Sequence, residues 1–138
     1  MLNRKKVHNS ETLNIQIDSH DQKSYLIELS KDCTKFDLNV ECLENSFSKF
    51  FILNHAESAC ELNINMVLKQ DANCQMGVLD LEKSPLKWNH YVDLKEQGAE
   101  YEILSGQLCQ EHIEKVCDME VRHNASYKWS NEKLCRFI

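Results

Sequence analysis

Period-two alternation of apolar and polar residues runs through most of this chain and restricts it to sheet structure. Leu13, Ile15 and Ile17 alternate with Asn14, Gln16 and Asp18. Phe36, Leu38, Val40 and Cys42 alternate with Asp37, Asn39 and Glu41. Leu62, Ile64, Met66 and Leu68 form a third stripe; Leu86, Trp88, Val92 and Leu94 a fourth; Cys117, Met119 and Val121 a fifth. Side chains spaced by two share one face of a strand, whereas a helix brings residues three or four apart together. One segment departs from the pattern. Leu108, His112, Ile113 and Val116 would share a helix face, so residues 107–115 are expected to form a short helix or an irregular corner.

The turns between stripes recur. Lys31-Asp32-Cys33, Gln70-Asp71-Ala72, Gln97-Gly98-Ala99 and His123-Asn124-Ala125 each place Asp, Gly or Asn before a small residue. Asp, Gly and Asn accept the backbone conformations of a tight reversal. The small residues fall at 33, 72, 99 and 125. The later intervals nearly agree, which points to a repeating unit of about 26 residues. The longer first interval either holds an insertion at residues 44–48 or breaks the pattern. A unit of this size must stack on a neighbour to bury its apolar face. A β-helix and a β-sandwich both satisfy the pattern, in one domain spanning 1–138.

Composition narrows the function. The net charge is −6, with lysines scattered among acids, so neither nucleic acid nor an anionic membrane is an expected partner. No apolar run approaches the roughly 20 residues of a membrane span. The N-terminal Leu-Asn-Arg-Lys-Lys-Val starts basic but meets no apolar stretch, so a cytoplasmic location is expected, with the seven cysteines reduced. Catalytic motifs are missing: there is no G-x-S-x-G elbow, Gly-rich phosphate loop or H-E-x-x-H pair. Glu100 and Glu102 share a strand face that is expected to be solvated. No C-x-x-C pair occurs, and the nearest approach to a metal set is Cys109, His112 and Cys117. Cys42, Cys74 and Cys117 fall in register with the apolar stripes, as small buried hydrophobes would. His90 falls on the Trp88 stripe as a core or edge histidine, and Phe36, Phe47, Phe50, Phe51, Trp88 and Tyr101 are expected to pack in the core.

Within residues 62–130 a family resemblance emerges. Leu94-Lys-Glu-Gln-Gly98-Ala99-Glu-Tyr-Glu resembles the strand–Gly–Ala–strand step of SufB/SufD proteins, subunits of the Suf iron–sulfur cluster assembly machine. Gly106 falls where that family often has a strand-closing glycine. Val121-Arg-His123-Asn124-Ala125, followed by Ser130, resembles its valine–x–histidine segment. The resemblance covers roughly the second half of the chain. It implies a right-handed parallel β-helix and a non-enzymatic, SufD-like scaffold working with a SufB-like partner and a SufC-like ATPase. The iron–sulfur cluster would belong to the assembly complex. Members of that family are much longer, so the chain resembles a partial core, truncated on the C-terminal side. No position here corresponds to the family's C-terminal cysteine and histidine of cluster assembly or to its ATPase-docking helices. An uncapped last coil would offer its sheet edge for self-association.

Overall fold

Each apolar stripe forms one strand, and each strand finds its partner one full coil further along the chain. The computed structural model describes residues 2–108, 113–123 and 135–137. In chain order the strands are β1 (Leu2–Val7), β2 (Ser10–Ile17), β3 (Gln22–Leu29), β4 (Lys35–Cys42), β5 (Phe47–Asn54) and β6 (Cys60–Leu68). They continue with β7 (Asn73–Asp80), β8 (Leu86–Leu94), β9 (Glu100–Gln107), β10 (Lys115–His123) and β11 (Cys135–Phe137). Odd strands form one sheet, ordered β1-β3-β5-β7-β9-β11, and even strands another, ordered β10-β8-β6-β4-β2. Every pairing is parallel. The chain therefore winds as a two-sheet β-helix of about five turns. This excludes the β-sandwich, whose facing layers are built from antiparallel neighbours. No helix occurs among the described residues: Gln107 ends β9 and Lys115 begins β10, so these two ends of the segment expected as a short helix or an irregular corner are strand, and residues 109–112 lie outside the described residues. Accordingly, no helix among the described residues is long and apolar enough to cross a membrane.

The corners explain the turn motif. Between even and odd strands, His20, Asn45, Asp71 and Gly98 all have positive φ, at 62°, 59°, 56° and 80°. The residue after each donates its N–H three residues back: Asp21 to Asp18, Ser46 to Leu43, Ala72 to Lys69 and Ala99 to Glu96. The N–H of the left-handed residue itself bonds to the next coil, as from Asn45 to the Gln70 carbonyl at 3.0 Å and from Asp71 to that of Gln97 at 3.1 Å. Cys33 lies in the other corner, between β3 and β4, so its distance from Ala72 is a coil and a half. Residues 44–48 contain the corner that the sequence motif missed, and there is no insertion.

Inside, like stacks on like. Phe36, Leu62 and Trp88 form one column, Val40, Met66 and Val92 another, and Cys42, Leu68 and Leu94 a third. Across from them, Tyr25, Phe50, Met76 and Ile103 line up, with the Tyr25 and Phe50 rings stacked 5.0 Å apart. Each fully buried Leu, Ile or Phe contributes on the order of 1.5–3 kcal/mol. The rung of β1 and β2 differs. Its inward positions include Lys5 and Glu11, ion-paired at 3.0 Å, and inward charges of this kind discourage edge-to-edge pairing.

The corner geometry gives a first prediction. A Cβ at Gly98 would lie 1.9 Å from Asp71 Oδ1, on a backbone that L-residues avoid. Gly98→Ala should cost about 1–2 kcal/mol or more, whereas Asn45→Gly, at the same corner of an earlier coil, should be neutral or stabilising. Urea midpoints measure both, and equal midpoints for Gly98→Ala and the parent would refute the assignment.

Candidate functional site

The sequence-marked residues do not converge. Gly98 and Ala99 are corner residues. Gly106 lies on β9 with its neighbours Ser105 and Gln107 buried, so its own position faces outward. His123 ends β10 opposite Leu94, in the other sheet, and Cys117 sits half-buried opposite Trp88. Cys109, His112, Asn124 and Ser130 lie outside the described residues.

The thiols come together in pairs. Cys33 and Cys60 sit with their sulfurs 3.8 Å apart, in successive coils. Burial pushes the Cys33 thiol up and, with the neighbouring Cys33 sulfur, pushes Cys60 up to about 12. Cys42 and Cys74 form the second pair, in opposite sheets. Burial and the Cys42 sulfur push the fully enclosed Cys74 well up. Cys42 is held down by hydrogen bonding from Cys74 and, more weakly, from Ser48, whose Oγ is 3.6 Å away. Nucleophilic attack and metal ligation both need thiolate. Three of these four thiols are held protonated, and all four fill core positions as small hydrophobes do. Among the described residues no three His, Cys, Asp or Glu side chains gather as a metal site would require.

Two buried polar networks tie the coils together. His90 Nδ1 accepts the Trp88 indole N–H at 3.1 Å, which leaves the ring proton on Nε2, 2.5 Å from the Tyr101 hydroxyl. Trp88 and His90 belong to one sheet and Tyr101 to the other, so the network bridges the interior. Burial pushes His90 down to about 3, and the ring is neutral. The sequence placed His90 on the right stripe; its partners could not be read, because Tyr101 lies beyond a corner. The second network centres on Asp80. Its carboxylate accepts Lys115 Nζ at 2.8 Å and Asn54 Nδ2 at 3.0 Å, with both charged side chains almost wholly enclosed. Lys115 also donates to the Glu82 and Ser84 carbonyls. Lys115 lies 35 residues from Asp80, at the end of a segment read as a short helix or an irregular corner, and no sequence signal joins them.

The outer faces differ in chemistry. The five-stranded sheet carries amide ladders: Asn65 donates to Asn39, which donates to Asn14, and Asn89 donates to Asn63, which donates to Asp37. The six-stranded sheet carries an apolar patch on its outer face. Leu26, Phe51, Leu79 and Leu104 surround Gly77 in a shallow groove of about 780 Å³ that extends to Leu2, and Leu53 faces outward beside Leu79. Phe51 is 42% exposed and Leu104 52%. This corrects the expectation that Phe47 and Phe51 pack in the core. Strand β5 turns Phe50 and Ile52 inward, so Phe47 and Phe51 must face out. The Phe51 ring lies across Gly77, where a Cβ would come within 2.7 Å of it. The run Phe50-Phe51-Ile52-Leu53, apolar on both faces, is the sequence signal for this surface.

No family model matches the chain, and no significant match was found among curated proteins or solved structures.

Two predictions follow from the buried networks. Lys115→Met leaves the Asp80 carboxylate buried without its cation and should cost about 3–5 kcal/mol, whereas Asp80→Asn/Lys115→Met should recover part of the loss. A double variant no more stable than Lys115→Met would contradict the pairing. His90 binds its proton less readily folded than unfolded, where its pKa is near 6.5. Its contribution is therefore fully present above pH 6.5 and lost as pH falls toward about 3, at up to about 1.4 kcal/mol per pH unit. Urea titrations across that window should show a shallower acid slope for His90→Gln than for the parent; identical slopes would remove His90 as the cause.

Proposed function

We propose that this chain is a non-enzymatic β-helical scaffold that acts through protein–protein contact. We place it in iron–sulfur cluster assembly, beside a SufB-like partner and a SufC-like ATPase. The setting rests on the resemblance around Gly98-Ala99, Gly106 and His123-Asn124. The cluster is cargo of the complex in this reading, and the chain's own thiols serve its core.

One observation carries the scaffold reading: the apolar patch on the outer face of the six-stranded sheet, with Phe51 and Leu104 well exposed. Connected exposed apolar residues on a rigid sheet are the mark of a contact surface. The buried groups that could have done chemistry instead hold coil to coil: His90 is neutral between Trp88 and Tyr101, and Asp80 is neutralised by Lys115. Parallel stacking supplies stiffness, because every interior strand is hydrogen-bonded on both sides.

The test is a pull-down with SufB-like and SufC-like proteins present together. Retention of both on the tagged full chain is expected. Failure to retain either, with a correctly folded chain, would remove the assembly setting.

A further inference from the structure

We infer that the apolar face of the six-stranded sheet closes on a second copy of this chain, about a two-fold axis running along β5. The inference rests on reading that face as a protein-contact surface, and it names the occupant. The register fixes the outward residues in rows across the sheet. The central row reads Arg4, Leu26, Phe51, Gly77 and Leu104 from β1 to β9. The row on one side reads Leu2, Ser24, Lys49, Gln75 and Glu102; on the other, Lys6, Glu28, Leu53, Leu79 and Gly106. The face is thus basic along β1, carries an apolar patch of Leu26, Phe51, Leu53 and Leu79 among polar residues on β3, β5 and β7, and is acidic at the start of β9, where Glu100 joins Glu102.

Such a face is complementary to itself when turned over. An axis along β5 keeps the rows aligned and reverses the strand order, setting β1 of one copy over β9 of the other. Phe51 then meets the partner's Phe51, and Leu26 lies over the partner's Gly77, where it packs on the partner's Phe51 ring that lies across that glycine. Arg4 lies beside the partner's Leu104, one row, or about 7 Å, from the partner's Glu102, within reach of a guanidinium. Sheets packing face to face keep their strands nearly aligned, as this axis requires. Neither Arg4 nor Glu102 has an ion-pair partner among the described residues. Lys49, which the axis brings near its own copy, is drawn back over the Phe47 ring, 5.6 Å from its centroid. The contact is isologous and closes at two copies, unlike edge pairing, which has no built-in stop.

Within one chain Arg4 and Glu102 are four strand spacings apart, about 19 Å, too far to pair. A charge swap between them therefore reports only on contact between copies. Light scattering on the eluting full chain at about 50 µM should give twice the monomer mass, a Kd in or below the micromolar range. Leu104→Lys, which sets a cation beside the partner's Arg4, and Phe51→Lys, both at exposed positions, should give folded monomers with unchanged circular dichroism. Arg4→Glu should weaken association by several-fold to about tenfold, and Arg4→Glu/Glu102→Arg should restore it. A parent monomer at that concentration, a dimer that survives Leu104→Lys, or a double reversal without recovery would each overturn the inference. The pull-down separates this outcome from the functional reading. A dimer that retains no Suf partner keeps the inference and removes the setting, and a monomer that retains both partners does the reverse.

Discussion

The structure depends on the parallel hydrogen-bonded ladder between each strand and the strand one coil later. Through the middle of the coil its step is nearly constant. From β2 to β9 paired residues lie 25, 26 or 27 apart, as in Asn14–Asn39, Asn54–Asp80 and Cys33–Cys60, while the step is 22 between β1 and β3, 29 between β8 and β10 and 30 between β9 and β11. Where the step holds, several residues sit over residues of the same kind. Aromatic stacks on aromatic at Tyr25 and Phe50, amide on amide at Asn39 and Asn65, thiol near thiol at Cys33 and Cys60. A slip of one residue would turn every apolar stripe outward at once, so the register is strongly specified.

That repetition also decides where polar groups can survive inside. A β-helix interior is narrow, and a buried donor or acceptor must find its partner in its own coil or an adjacent one. His90 finds Trp88 two residues away and Tyr101 across the interior, while Asp80 finds Asn54 one coil back and Lys115 at the start of β10 in the next coil. These networks cost desolvation and return geometry: each admits one arrangement of its coils. The corners do the same with backbone, since one left-handed residue per turn fixes where each even strand hands over to the next odd one.

Much of this was legible in the residues. Alternation located β2, β4, β6, β8 and β10, because those strands are apolar on one face only. Asp71 and Gly98 revealed the corner, as their types favour left-handed backbone. His20 and Asn45 occupy the same corner and escaped notice: His is a less obvious turn residue, and Asn45 sits in a segment that looked like an insertion. The odd strands were harder to read. Ser48, Asn54, Asp80 and Gln107 are buried on their inner faces, while Phe51, Leu53, Leu79 and Leu104 decorate the outer ones. Polar and apolar residues there occur on both faces, and the outward apolar ones produce the contact patch. Which functional residues the chain uses was least legible, because a contact surface assembled from one residue per coil leaves no local motif.

The most direct test of the stacked-coil account is the pattern of nuclear Overhauser contacts in an isotope-labelled sample. Parallel in-register coils place the Val40 backbone beside Met66 and Val67, and that of Ile52 beside Val78 and Leu79, with Hα-to-amide contacts running in the same chain direction at both sites. Close Hα-to-Hα contacts between neighbouring strands, the signature of antiparallel pairing, would contradict it.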